Sequence, residues 1–371
     1  MRIAISCRSF LKKQYTGIGR YAFNLVDSLQ SIDRDNEYWL YVRKGLFDFK
    51  RKTPEFRSPR FAVKYDYFSR GPSRTLSGID LYHCPSPEFF EKFTRTVVTV
   101  HDLIFKSYPE GHTEQAREVM EKQMADIVRF ADKIICCSKS TKMDLIKYYN
   151  LGEPALKVIY QGIDHATFYP IKEEDRPAAK DFLAKKGVTV PFILFVGTLE
   201  PRKNLAGLLE ALSSIKSKGI LSHRLVIVGM QGWMMETLSK RVKELDLKRE
   251  CIFLGYVEDS LLRCLYNFCD AFVFPSHYEG FGYPILEALS CGAPVIASQT
   301  SSCAEIVKDA GLTIDPKSPQ EIAQALMKVY EDNDLRLKLK KKSVLRAAEF
   351  SFEKTARETL DLYTHLGGQK V

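Results

Sequence analysis

The chain has 371 residues, 45% of them hydrophobic and 27% charged, and carries a net charge of +9. That is more than one core usually holds, so two domains are expected. The amino terminus MRIAISCRSF enters a strand-like run with no long apolar stretch behind it, which argues against a secretory signal. No window approaches the roughly 20 apolar residues of a membrane-spanning helix. Nine cysteines without a CxxC, two of them adjacent at Cys136 and Cys137, read as reduced cytosolic thiols. Seven scattered histidines offer no structural zinc set.

In chain order, strand-like runs fall at 2–7, 38–42, 81–84, 97–103, 133–138 and 157–163, with helical patterns at 19–30, 112–130 and 140–149. A charged stretch with Pro and Gly, 170–190, suits a linker and a short helix. The second half repeats the scheme: strands at 192–199, 225–229, 251–257, 271–276 and 294–298, helices at 203–217, 233–245, 259–268 and 283–291. Fully apolar strands alternating with helices mark parallel sheets covered on both faces. The expected architecture is therefore α/β, with two doubly wound, Rossmann-like domains at 1–169 and 170–351. Ligands of such sheets bind beyond the carboxyl ends of the strands.

The positive charge is concentrated. Segment 41–74 holds ten Lys and Arg against three acids, interleaved with Phe47, Phe49, Phe56, Phe61, Tyr65, Tyr67 and Phe68. Basic charge with aromatic anchors suits an anionic membrane face or a phosphate-bearing acceptor, and single-stranded nucleic acid would use the same ingredients. A solvated loop with its aromatics packed underneath explains the composition equally well.

Four stretches carry candidate chemistry. In TGIGRYA (16–22), Gly17 and Gly19 let backbone approach a bound group, and the helix that follows favours an anion. The string also matches a dinucleotide fingerprint, the basis of a rival reading as a NAD-dependent oxidoreductase. Nine residues separate Cys7 from Gly17, however, and a Rossmann turn follows its strand directly. His101-Asp102 ends the strand VVTV, where it could orient a hydroxyl or move a proton. EPRKN (200–204) sets Arg202 and Lys203 ahead of a helix amino terminus, a combination suited to a diphosphate. HYEGFGYPILEALSC (277–291) places Glu279 in a turn and Glu287 inside a helix. Two acids so placed could hold different parts of one extended ligand, since carboxylates accept well from vicinal hydroxyls.

Taken together, TGIGRY, VVTVHDLIF, IICCSKST, VIYQGIDHATFYP, VGTLEPRKN, LVIVGMQGW, FLGYVED and FPSHYEGFG resemble retaining glycosyltransferase family 4, in family order and over nearly the whole chain. The resemblance implies the GT-B fold, two Rossmann-like domains facing across a cleft, with the acceptor on the first. It also implies a carboxy-terminal helix, 352–366, that packs back on that domain. Glu287 would bind the ribose hydroxyls of a nucleotide sugar. Glu279, with Gly280, Phe281 and Gly282, would sit by the donor sugar, and Leu286 belongs to the same donor-binding set. Lys203 and Arg202 would neutralise the diphosphate, Gly17 and Gly19 would approach it from the first domain, His101 would meet the donor sugar, and Val257 would line the base. Many members carry an Arg after the glycine that ends the strand before the EPRKN-like loop; here Gly197 is followed by Thr198.

Similarity to bacterial mannosyltransferases of polysaccharide assembly favours GDP-mannose as donor and a lipid-linked or saccharide acceptor, with UDP-glucose or UDP-GlcNAc as the alternative donors. The expected enzyme is cytoplasmic and peripheral at the inner membrane face through 41–74. A nucleic-acid-binding protein built on that segment is the other rival; the family implies no nucleic acid. The strings Asp33-Arg34-Asp35 and Asp332-Asn333-Asp334 match the metal-binding DxD but read as surface turns. Neither a metal nor another cofactor is expected, because Lys203, Arg202 and a helix amino terminus can supply fixed positive charge.

Overall fold

A computed structural model describes residues 1–10, 17–44, 58–220, 223–230 and 235–368. The chain forms two compact units, Met1–Gly162 with Phe350–Val371, and Ile163–Glu349.

Unit 1 holds a seven-stranded sheet of β1 (Arg2–Ser6), β2 (Glu37–Arg43), β3 (Phe61–Asp66), β4 (Leu81–Cys84), β5 (Thr96–Val100), β6 (Lys133–Cys136) and β7 (Leu156–Val158). Every pairing is parallel, in the order β3-β2-β1-β4-β5-β6-β7. Unit 2 holds a six-stranded parallel sheet of β8 (Phe192–Val196), β9 (Arg224–Val228), β10 (Cys251–Gly255), β11 (Ala271–Phe274), β12 (Val295–Ser298) and β13 (Gly311–Ile314), ordered β10-β9-β8-β11-β12-β13. In both sheets the order reverses beside the first strand of the unit, between β1 and β4 and between β8 and β11. Such reversal points open a crevice for ligands at the carboxyl ends.

The central strands are apolar on both faces because helices cover both. β5 (TVVTV) and β8 (FILFV) are buried along their whole length. In unit 1 the carboxy-terminal helix Phe352–Gly368 packs on the helix Gly17–Ile32. Its Phe352, Ala356, Leu362, Tyr363 and Leu366 complete the cluster formed by Ile3, Ile5, Leu25 and Leu29.

Two strands escape the sequence pattern. β3 and β13 are edge strands, as β7 and β10 are, but β3 (FAVKYD) is interrupted by Lys64 and Asp66 and β13 (GLTI) is only four residues long. Only Phe61 and Asp66 are buried in β3, and only Ile314 in β13. β3 thus lies inside the basic segment that composition alone presents as a surface. The division between units also falls at Gly162 rather than after residue 169. Residues 163–169 belong to unit 2, where Phe168 meets the Tyr266 ring edge-on and accepts a hydrogen bond from Ser290 through its carbonyl.

The two DxD strings are structural. Asp33 is no surface residue: its carboxylate is buried, and accepts from the Tyr38 hydroxyl at 2.6 Å, the Asn36 amide at 2.8 Å and the Asp35 backbone N–H at 2.9 Å. It thereby organises the turn from the first helix into β2. Asp332 caps the helix Asn333–Ala347, accepting from the Leu335 N–H at 2.8 Å.

Candidate active site

In unit 2 the site is built at the carboxyl ends of β8, β11 and β12. After β8 the chain makes a 3-10 turn, Pro201–Lys203, and Asn204 caps the helix Leu205–Ser217 from a left-handed conformation, φ 56°. The Asn204 amide donates to the carbonyls of Pro275 and Pro316, beyond β11 and β13, at 3.1 and 2.6 Å. This asparagine ties three strand ends together, a role that nothing in the sequence marks. Its bulk also explains Gly207, where a Cβ would lie 2.7 Å from Asn204 Oδ1.

Held by this framework, Arg202 and Lys203 meet Glu279. Lys203 Nζ donates to Glu279 Oε1 at 2.7 Å, Arg202 Nη1 lies 2.8 Å from the same oxygen, and the Ser276 hydroxyl donates to it at 2.6 Å. Arg202 also donates to the Tyr278 carbonyl at 2.6 Å and pairs with Glu200, and Lys203 stands 4.9 Å over the Phe274 ring. Burial alone would raise the Glu279 carboxyl; the Lys203 and Arg202 cations, with hydrogen bonds from Lys203 and Ser276, outweigh it and hold it below its ordinary 4.5. The backbone is clasped from the start of the helix Ser301–Val307, which follows β12. Ser301 Oγ accepts from the Glu279 N–H and Ser302 Oγ donates to the Glu279 carbonyl, both at 2.9 Å. Two cations, Arg202 and Lys203, are thus balanced by two carboxylates, Glu200 and Glu279, in a pocket of low exposure. The resemblance sets Glu279 against a sugar and the two cations against a diphosphate, whereas in the structure the two sets pair directly.

The turn continues through buried Gly280, Phe281 and Gly282. Gly282 adopts φ 101°, open to glycine at little cost, and caps the helix Tyr283–Ser290. Glu287 lies within that helix, 7% exposed, and accepts from the Tyr266 hydroxyl at 3.0 Å. Leu286 is wholly buried, so its side chain serves the core and only its backbone could reach a ligand. Val257 follows β10, half-buried, just ahead of the helix Asp259–Phe268.

In unit 1 the helix begins at Gly17, two residues earlier than its apolar pattern suggests, so that Gly17 and Gly19 sit in its first turn. Residues 11–16 lie outside the described residues. His101 follows β5 and is buried, its ring 5.2 Å edge-on from that of Tyr21. Its Nε2 lies 2.7 Å from the Pro85 carbonyl, which can only accept, so the proton is on Nε2. The Gln161 amide lies 2.7 Å from Nδ1. Burial pushes the imidazole pKa down despite the Pro85 contact and the nearby Asp102 charge. The ring is therefore neutral, Gln161 donates to Nδ1, and both nitrogens are committed within the protein.

The pattern of the family described as Glycosyltransferase Family 4 matches residues 15–167, and that of Glycosyl transferases group 1 matches 179–345. O-antigen chain mannosyltransferase B of Escherichia coli is 32% identical over 95% of this chain and 97% of its own length. The chain belongs to glycosyltransferase family 4. Another family relative, the serotype-specific mannosyltransferase WbdA of E. coli, is 28% identical over 73% of this chain but only 34% of that much longer protein. Sucrose-phosphate synthase from Thermosynechococcus elongatus shares the fold over 98% of both chains, with a TM-score of 0.76 at 21% identity. This family 4 member has the GT-B architecture of two Rossmann-like domains and is a glycosyltransferase.

Proposed function

We propose that the enzyme transfers mannose from GDP-mannose, with retention, to a lipid-linked or saccharide acceptor in cell-surface polysaccharide synthesis. The names of its mannosyltransferase relatives support the sugar. The observation that carries the chemistry is the meeting of Lys203, Arg202 and Glu279 beyond β8 and β11.

Breaking the anomeric C–O bond puts negative charge on the nucleotide β-phosphate and positive charge on the sugar ring. Lys203 and Arg202 are cations held ahead of a helix amino terminus, placed to take the phosphate charge when Glu279 yields them. A diphosphate arriving there competes with Glu279 for the two cations, and the carboxylate it displaces is left to the sugar hydroxyls or the developing ring charge. Glu287 takes the ribose. No carboxylate is required as a nucleophile in this scheme: the acceptor attacks from the face of the departing phosphate, which takes its proton. The fixed cations make a metal unnecessary, and the expected activity survives chelation by EDTA.

The enzyme works at the cytoplasmic membrane face. Supporting this, Tyr67 and Phe68 are 44% and 63% exposed, and Arg70 stacks over Phe68. The middle of the basic segment, 45–57, lies outside the described residues, and no helix among the described ones is long and apolar enough to span a membrane.

A thermal-shift panel of GDP-mannose, UDP-glucose, UDP-GlcNAc and NAD tests the donor. A ligand at a hundred times its Kd stabilises the fold by about 2.7 kcal/mol. GDP-mannose is expected to give the largest shift; a larger one with a UDP-sugar would reassign the donor.

A further inference from the structure

Tyr266 is fully buried, and its hydroxyl donates to Glu287, the carboxylate assigned above to the ribose. It lies near the end of the helix Asp259–Phe268, which packs on the helix Tyr283–Ser290 that carries Glu287. Burial, the Glu287 charge and the 3.0 Å hydrogen bond between the two push the phenol well above its ordinary 10. The hydroxyl therefore stays protonated at any working pH, always a donor to Glu287 Oε2.

The ring itself is held on several sides. Phe168 and Phe272 meet it edge-on, with centroids at 6.2 and 5.3 Å. The next residue, Asn267, fastens the helix to the segment 169–171, accepting from the Ile171 N–H at 2.7 Å and donating to the Tyr169 carbonyl at 3.0 Å. One turn earlier, Arg263 donates to the Thr167 carbonyl at 3.2 Å. The phenol oxygen is thus a fixed point, whereas a glutamate side chain brings considerable rotamer freedom that binding would otherwise have to remove.

A buried tyrosine hydroxyl needs an acceptor, but a backbone carbonyl or another hydroxyl would satisfy it without taking a charge out of water. The need of Tyr266 does not account for the carboxylate. The reverse dependence accounts for both: a carboxylate that accepts from two vicinal ribose hydroxyls must have its plane set beforehand, and it has lone pairs enough for them and for the phenol. We propose that Tyr266 is a positioning residue for the donor, its hydroxyl fixing the Glu287 carboxylate in the orientation that accepts from the ribose. The proposal rests on the reading of Glu287 as the ribose acceptor and adds the residue through which unit 2 orders it.

The test crosses a change in the protein with a change in the ligand. GDP and UDP, each beside its 2′,3′-dideoxy counterpart, are titrated by calorimetry into the wild-type chain, Tyr266→Phe and Glu287→Ala, and the base that binds more tightly is followed. The wild type is expected to favour the ribose form by about tenfold or more, and Glu287→Ala to lose that preference. Tyr266→Phe keeps the ring and its packing; it should cut the preference by about threefold or more while the dideoxy nucleotide binds within about twofold of wild type. The proposal is overturned if Tyr266→Phe retains the wild-type preference. It is overturned equally if both forms weaken by one factor, since a purely structural role acts on both alike. A wild type that binds none of the four or does not distinguish ribose from dideoxyribose, or a preference that survives Glu287→Ala, refutes the ribose role of Glu287 and the proposal with it.

Discussion

Lys203, Arg202 and Ser276 all approach one oxygen of Glu279, so substitutions here have separable consequences. If Lys203 takes the leaving-group charge, Lys203→Ala slows kcat about a hundredfold or more. Near-normal turnover at saturating donor would refute the role. Glu287→Ala is expected to raise the donor Kd, whereas Glu279→Ala mainly slows transfer; titration calorimetry beside steady-state rates separates the two. Two buried histidines set a pH dependence. His83 sits between the Tyr363 hydroxyl at 2.5 Å and Thr99 Oγ1 at 2.9 Å, and burial lowers its pKa from 6.5 to about 3. Burial lowers His101 as well. Below pH 6.5 the unfolded chain takes up protons that the folded one refuses, so stability is lost on acidification. For His83 the loss runs at up to about 1.4 kcal/mol per pH unit down to about pH 3, and His101 adds loss in the same direction. Glu279 adds loss in the same direction at lower pH, because its stabilisation is present above its unfolded pKa and disappears as the carboxyl protonates. The thermal midpoint should fall between pH 7 and 5, and His83→Asn should shallow that slope; a midpoint indifferent to pH over this range would contradict the burial argument.

Among the elements, those whose pattern reaches the core are readable from sequence, and the helix over 259–268 is observed with those bounds. The fully buried strands also fall where their apolar runs lie, because burial on both faces leaves little choice of residue. β3 and β13 are not readable: β3 (FAVKYD) carries Lys64 and Asp66 inside the basic segment and β13 (GLTI) is only four residues long, whereas β10 (CIFLG), also at an edge, keeps an apolar run that reads as a strand. The same contrast holds at the site. Glu279 and Glu287 attract notice as acids in an apolar run, but that Glu279 meets Lys203, 76 positions earlier, depends on adjacency of β8 and β11 in the sheet. No local spacing encodes that. Asn204 shows the limit most clearly: an asparagine before a helix reads as a cap, and its two bonds to Pro275 and Pro316 are invisible in sequence. Asn204→Ala loses the cap, strains a left-handed residue and leaves two carbonyls unsatisfied. It is expected to cost about 2–4 kcal/mol in denaturant unfolding of unit 2. Asn204→Gly relieves only the strain, and so should recover part of that loss; full recovery would mean that the amide bonds contribute little.

Across the whole molecule, the chain leaves unit 1 after Gly162 and re-enters it at Phe350. Outgoing and returning segments touch within unit 1. The Thr355 hydroxyl donates to the Tyr160 carbonyl at 2.8 Å, and the Tyr160 ring meets Phe350 edge-on at 5.7 Å. Backbone meets backbone at Gly162, where a Cβ would lie 2.2 Å from the Phe352 nitrogen and 2.4 Å from the Ser351 carbonyl carbon. Neither atom is the end of a flexible side chain, so a larger residue can be accommodated only by moving the returning segment. That segment leads into the carboxy-terminal helix, whose Tyr363 hydroxyl serves His83 and whose apolar face closes the unit 1 core. A shift of about 1 Å there would loosen packing well away from position 162. Gly162→Ala should therefore destabilise unit 1 by about 1–3 kcal/mol, the usual cost of overpacking. Gly368→Ala, with nothing within 4 Å of the added carbon, is the neutral control. Scanning calorimetry gives the readout: the transition of unit 1 should move down while that of unit 2 holds. Equal midpoints for the two variants would show that the returning segment yields freely, and that the contact at Gly162 does not fix the helix.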